Sequence, residues 1–154
     1  MGTRSRIGIE LANHTVVSVY CHWDGYPSGN GKILVEHYQD REKVMDLIDG
    51  GSMSSLRTRG TWDFDSPLRD ENGEYIHDAA GYLKYEDDRE PQPLYHSERG
   101  EEVEVLHSSF DQFISGDSME EYAYLYDLND NWKAFKINYK APVERVEIPN
   151  YVTA

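Results

Sequence analysis

Two pairs of alternating apolar runs, one near each end of the chain, constrain this sequence more than anything else in it. Residues Thr3–Leu11 place Ile7, Ile9 and Leu11 at a spacing of two, with Gly8 and Glu10 between them. After the break Ala12-Asn13-His14, Val16–Trp23 alternates Val17, Val19, Cys21 and Trp23 against Val16, Ser18, Tyr20 and His22. Period-two patterning of this kind is the signature of half-buried strands, and the short polar break makes the pair an antiparallel hairpin. Near the other end, Tyr122–Leu128 and Trp132–Tyr139 flank the turn Asn129-Asp130-Asn131, which predicts a second hairpin.

Between these hairpins the helical signals are short. Lys32–Tyr38 is apolar enough to open a helix, and Asp40 is a good N-cap for Arg41–Asp49, where Val44, Leu47 and Ile48 fall at helical spacing. Gly50-Gly51 ends that helix. Ser108 or Ser109 can cap a further short helix carrying Phe110, Phe113 and Ile114. Ser52–Gly60 and Trp62–Gly73 are expected as loop, while Glu74–Ile76, Gly81–Tyr85 and Glu102–Leu106 are expected as short strands. The tail has Pro142 and Pro149 and supports an edge strand at most. The expected fold is therefore α+β: an antiparallel sheet built from the N- and C-terminal hairpins, with one or two helices packed on one face. At 154 residues the chain is one domain, 1–154, with an acidic, loop-rich middle at about 62–131.

The charge is as unevenly placed as the hydrophobicity. The formal net charge is −14, and residues 62–131 alone carry −16. Such a balance disfavours direct binding to nucleic acid or anionic membranes. No apolar run reaches the length of a membrane span and no secretory leader is visible, so a cytoplasmic protein is expected. The single cysteine excludes a disulfide scaffold or a Cys-rich zinc fold, and the six histidines form no H-x-H or H-x-x-x-H pair. No metal and no cofactor are expected.

Two stretches carry possible chemistry. Tyr20–Pro27 puts Cys21, His22 and Asp24 at a strand end beside a glycine-rich loop. Cys21 and His22 are strand neighbours and point to opposite faces, so they cannot act as a thiolate–imidazolium pair, and Cys21 belongs to the apolar face. His22 and Asp24 are candidates for acid–base work, against an ordinary Asp turn and a satisfied histidine. The loop fails as a phosphate-binding P-loop, because Gly25 to Gly31-Lys32 is one residue too long and Ile33 stands where Ser or Thr is needed. A weaker version is an anion site made by loop amides with Tyr20, His22, Asp24, Tyr26, Lys32, Arg4 and Arg6, against a purely structural glycine turn. The second stretch is the acidic middle, where Tyr82, Tyr85, Glu86, Asp87, Asp88, Glu101 and Glu102 are expected to meet a basic partner, against a merely solvated surface.

The segments Met1-Gly2-Thr3-Arg4-Ser5-Arg6-Ile7-Gly8, Val19–Pro27, Gly31-Lys32-Ile33-Leu34 with His37-Tyr38, and the closing Tyr122–Tyr126 and Asn131-Trp132 resemble a family of small proteins met in phage and prophage genomes. The resemblance implies provenance and carries no activity; it does not extend to residues 62–131. With the acidic surface it leads to the expectation of a phage accessory protein that binds, and modulates or inhibits, a host protein with a basic surface. The alternatives are a small-ligand binder holding an anionic metabolite or nucleotide at the glycine-rich loop, and an acid–base enzyme using His22 and Asp24.

Overall fold

A computed structural model describes residues 3–56, 69–77, 79–81, 93–116, 119–138 and 142–149. The first hairpin is present as β1 (Ser5–Glu10) and β2 (Val16–Cys21), paired antiparallel with Arg6 opposite Tyr20 and Gly8 opposite Ser18. The glycine-rich segment follows as a single wide π-helical turn, Pro27–Gly31, that runs directly into α1 (Lys32–His37). Next comes α2 (Arg41–Asp49), whose start is the predicted one: Asp40 is extended and its side chain accepts from the Lys43 N–H at 2.8 Å.

The remaining elements are β3 (Met53–Ser55), β4 (Leu94–Tyr95), β5 (Leu106–Ser108), α3 (Phe110–Phe113), β6 (Tyr122–Tyr126), β7 (Trp132–Lys136) and β8 (Glu144–Val146). The Ser109 hydroxyl accepts from the Gln112 N–H and starts α3 as the sequence predicts. Three local expectations shift. Ser52–Gly60 contains β3, a strand too short to show a period, and the alternating Glu102–Leu106 run becomes a strand only from Leu106. Glu74–Ile76 contributes a single bridge, Arg69 to Tyr75. The expected strand at Gly81–Tyr85 lies outside the described residues beyond Gly81.

The architecture is α+β. The sheet runs β4-β3-β2-β1-β6-β7-β8, with β5 paired to β2. It is antiparallel except at two places, where β1 pairs parallel with β6 and β2 pairs parallel with β3. The two terminal hairpins thus meet along a parallel seam, Ile7 opposite Tyr124. β3 and β5 share the outer edge of β2, β3 at Cys21 and β5 at Val16–Ser18. Among the described residues no helix is long and apolar enough to cross a membrane.

Strand parity divides the sheet into two unlike faces. Ile7, Ile9, Val19, Cys21, Tyr124, Tyr126, Trp132 and Ala134 point one way and bury against Leu34, Val35 and Tyr38 of α1 and Val44, Leu47 and Ile48 of α2. Full burial of side chains of this size stabilises by about 1.5–3 kcal/mol each. Polar tips inside this layer are satisfied: the Trp132 Nε1–H donates to the Tyr38 carbonyl at 2.8 Å and the Tyr124 hydroxyl to the Gly25 carbonyl at 2.5 Å. On the opposite face α3 supplies only a small lid. Phe113 packs with Val16, Ala123 and Leu125, and its ring lies so close to Gly8 that a side chain there would collide. That lid covers one half of the face and leaves the half made by the start of β1 and the end of β2.

Candidate functional site

The residues of that second half-face are polar. Arg6 and Tyr20, paired across β1 and β2, share a side with Arg4 just ahead of β1 and with Leu106, whose partner on β2 is Ser18. They line a cleft of about 910 Å³ whose other walls come from Ser52, His96, the Val103–Val105 segment and Glu120. The cleft exists because the α3 lid is short and because the sheet here turns charged and aromatic groups, not aliphatic ones, away from the main core.

Its geometry is held by a small network. Arg6 donates from Nε to Glu120 Oε2 at 2.9 Å and from Nη1 to Ser18 Oγ at 3.2 Å. The pair is well covered, with side-chain exposures of 11% for Arg6 and 2% for Glu120. The second Glu120 oxygen, Oε1, is buried without a hydrogen-bond partner. Arg4 anchors the neighbouring backbone, its carbonyl accepting from the Glu121 N–H at 2.8 Å, while its guanidinium reaches Met119 Sδ at 3.6 Å. Met119 itself has φ 66, a left-handed conformation uncommon for a side chain of its kind, and is 71% exposed. Among the described residues no carboxylate forms an ion pair with Arg4.

Tyr20 connects the cleft to the aromatic groups beside it. Its hydroxyl is 2.8 Å from His22 Nδ1, and its ring is within 6.5 Å of that of His96. His22 in turn meets Trp23 edge-on at 4.8 Å. Burial pushes the Tyr20 phenol above its ordinary value, and the nearby Arg4 cation opposes that shift. The Tyr20 hydroxyl is thus shared between His22 and the Arg4 guanidinium, which donates to its oxygen.

The sequence-predicted residues are therefore split. Arg4, Arg6 and Tyr20 come together at the cleft, and His22 joins through Tyr20. Asp24, Tyr26 and Lys32 are not among the cleft residues: Asp24 turns out of the strand with φ 58 and accepts from the Tyr26 hydroxyl at 3.1 Å, and Lys32 is exposed at the start of α1. Three of the loop amides expected to hold an anion are already used. The N–H groups of Gly25, Gly29 and Asn30 donate to the carbonyls of Thr3, Tyr26 and Asp24.

The glycines serve packing instead: a Cβ on Gly25 would lie 2.7 Å from the Thr3 carbonyl oxygen, and one on Gly29 would lie 2.5 Å from that of Asp24. Asn30 completes the structural role, its Nδ2 donating to Ser5 Oγ, Cys21 Sγ and the Trp23 carbonyl at 3.2, 3.3 and 3.0 Å.

Cys21 is fully buried in the helix-covered core, and burial pushes its thiol up to about 12. Of the acidic-surface residues, Glu101 and Glu102 are exposed, while Tyr82, Tyr85, Glu86, Asp87 and Asp88 lie outside the described residues. Sequence reasoning missed His96, Glu120 and Met119. His96 opens a short 3₁₀ turn, His96–Arg99, right after the two-residue β4. Nothing local in the sequence marks either His96 or Glu120 as a cleft residue.

Comparison with protein-family models finds no match, nor does comparison with curated proteins or with solved structures.

Proposed function

We propose that this protein binds a small anionic molecule in the cleft, with Arg4 as the anchor and Tyr20 beside it. The observation that carries this reading is the Arg4–Tyr20 pair on a half-face that the fold leaves uncovered, next to an arginine already neutralised by Glu120. Arg6 is committed to the protein; Arg4 is the cation that a ligand can use. A guanidinium presents several donors in a fixed fork, which suits phosphate and carboxylate groups. Val103, Val105, Leu106, Tyr20 and His96 line the same cleft and give apolar surface for the remainder of the ligand. Calorimetric titration with adenosine monophosphate and ethyl phosphate tests the reading. Saturable binding is expected, weakened about tenfold or more in Arg4→Ala, since a charge-assisted contact of this kind is worth that much. Binding unchanged in Arg4→Ala counts against it.

A second reading keeps the acidic surface as the working part of a phage accessory protein that docks on a basic host protein. It draws on the exposed stretch Glu101–Val105, in which Glu101, Glu102 and Glu104 accompany Val103 and Val105 at 55% and 42% exposure. A host protein retained at low salt, released at high salt and lost on charge reversal at Glu86, Asp87 and Asp88 would support it. Retention by that variant at high salt would contradict it.

A further inference from the structure

The anion reading places one charge of the ligand and leaves the rest of it undefined. Of the large apolar side chains left exposed among the described residues, Val103, Val105 and Met119 all line this cleft, at 55%, 42% and 71% exposure. Scattered singly, such side chains need no explanation; gathered on one concave surface rimmed by polar groups, they mark a place where apolar matter docks. The two valines do not sit on a loosely tethered segment. The Ser52 hydroxyl donates to the Glu104 carbonyl at 3.4 Å, and a Cβ on Gly51 would lie 2.8 Å from Val103 Cγ1. The fold therefore holds this stretch against β3 and still leaves both side chains uncovered.

Much of the polar lining is already bonded within the protein, and a sugar or a base would have to compete for it. Arg6 is taken by Glu120 and Ser18, the Ser52 hydroxyl by the Glu104 carbonyl, and the Ser115 hydroxyl donates to the Gln112 carbonyl at 2.7 Å. Tyr20 and His96 present rings tilted by 53°, not two parallel faces between which a base can stack. Aliphatic surface, in contrast, begins at the anchor itself, since Arg4 Nη1 lies 3.6 Å from Met119 Sδ.

We propose that the ligand is an anionic amphiphile with a straight aliphatic chain, an alkyl phosphate or a fatty carboxylate, its head group on Arg4 and its chain along Met119, Val103, Val105 and Leu106. This rests on the anion reading for Arg4 and specifies the remainder of the ligand. A single amphiphile molecule fits better than a bilayer surface. Glu101, Glu102 and Glu104 beside the valines are exposed and the whole chain carries −14, which repels an anionic membrane.

Calorimetry on the whole chain tests it with two pairs of probes below their micelle-forming concentrations, ethyl against n-hexyl phosphate and butanoate against octanoate, and with adenosine monophosphate alongside. The longer member of at least one pair is expected to bind about tenfold more tightly or better, as when roughly half of the added methylene surface leaves water. The pair that shows the gain identifies phosphate or carboxylate as the head group. Val103→Thr/Val105→Thr keeps the shape of both side chains and makes them polar, and there the gain is expected to fall below about threefold. Should that variant fail to fold by circular dichroism, Met119→Gln, of similar length, must lower the gain in its place. Equal affinity within both pairs overturns this inference and leaves the anion reading standing, as does adenosine monophosphate binding more tightly than hexyl phosphate, or a gain retained in full in the folded variant. No binding by any of the soluble probes overturns both readings, whether or not the protein sediments with phosphatidylglycerol vesicles.

Discussion

Arg6 and Glu120, separated by 114 positions in the chain, form the buried ion pair that ties the start of β1 to the entry of β6, at 2.9 Å. Removing one partner leaves the other charge stranded out of water. Arg6→Ala is expected to lose about 3–5 kcal/mol, whereas Arg6→Met/Glu120→Leu is expected near neutral. Urea unfolding of the two variants measures the contrast. A small loss for Arg6→Ala would mean that the pair is solvated and that the cleft floor is looser than described.

Gly29→Ala and Gly25→Ala test the structural role of the glycine-rich turn. Each added Cβ would press on backbone, at 2.5 Å from the Asp24 oxygen and 2.7 Å from the Thr3 oxygen. Backbone cannot step aside as a flexible side chain can, and a loss of about 1–3 kcal/mol is expected from overpacking. Thermal melts give the answer. Unchanged stability with lost ligand binding would return the anion site to this loop.

The Cys21 thiol is expected to be inert in the native protein. It has no exposed surface, burial pushes it up to about 12, and Asn30 donates to its sulfur. At pH 8 the fraction present as thiolate is too small to react, and reagent cannot reach it. A disulfide reagent should report no thiol in native protein and one per chain in denaturant. Fast native labelling would contradict the burial.

Tyr95 makes stability depend on alkaline pH. Its hydroxyl donates to the Leu47 carbonyl at 2.8 Å, and burial, reinforced by Glu98, Asp46 and Asp49, pushes it up to about 12. The folded state therefore holds its proton more tightly than the unfolded chain, whose tyrosine ionises near its ordinary value of about 10. The stabilisation is complete below about pH 10 and is lost as the pH rises towards 12. Tyr95→Phe should be less stable by about 1 kcal/mol at neutral pH. That difference should narrow between pH 10 and 12, as followed by urea midpoints across the range. A constant difference would contradict the shift.

What the sequence made legible was local. The β1–β2 hairpin follows from alternation over adjacent residues, Asp40 and Ser109 cap helices by bonding an N–H three positions on, and the hairpin turn after β6 is held by Asp127 accepting from the Asn129 and Asn131 N–H groups. The burial of Cys21 and the shared side of Tyr20 and His22 came from parity alone. The parallel seam between β1 and β6 was not legible, because alternation shows which face is buried and not which distant strand lies alongside.

Arg4, Arg6 and Tyr20 were picked out, but assigned to the glycine-rich loop: Tyr20 shortly precedes it in sequence, and Arg4 and Arg6 belong to the neighbouring strand of the hairpin. The fold instead spends that loop on close backbone packing and gives those side chains a cleft closed by His96 and Glu120. Glu120 was hidden for a further reason. Counting back from Ala123 by strand parity selects Glu121 for that face, yet it is Glu120, ahead of the first residue of β6, that reaches Arg6.

The location of the ligand is the central claim, and chemical-shift mapping tests it most directly. Titrating ¹⁵N-labelled protein with ethyl phosphate and with adenosine monophosphate should move the amide signals of Arg4, Arg6, Tyr20, His96 and Glu120 while leaving Gly25–Lys32 still. Perturbations centred on Gly25–Lys32, or none at the cleft with either compound, would contradict it.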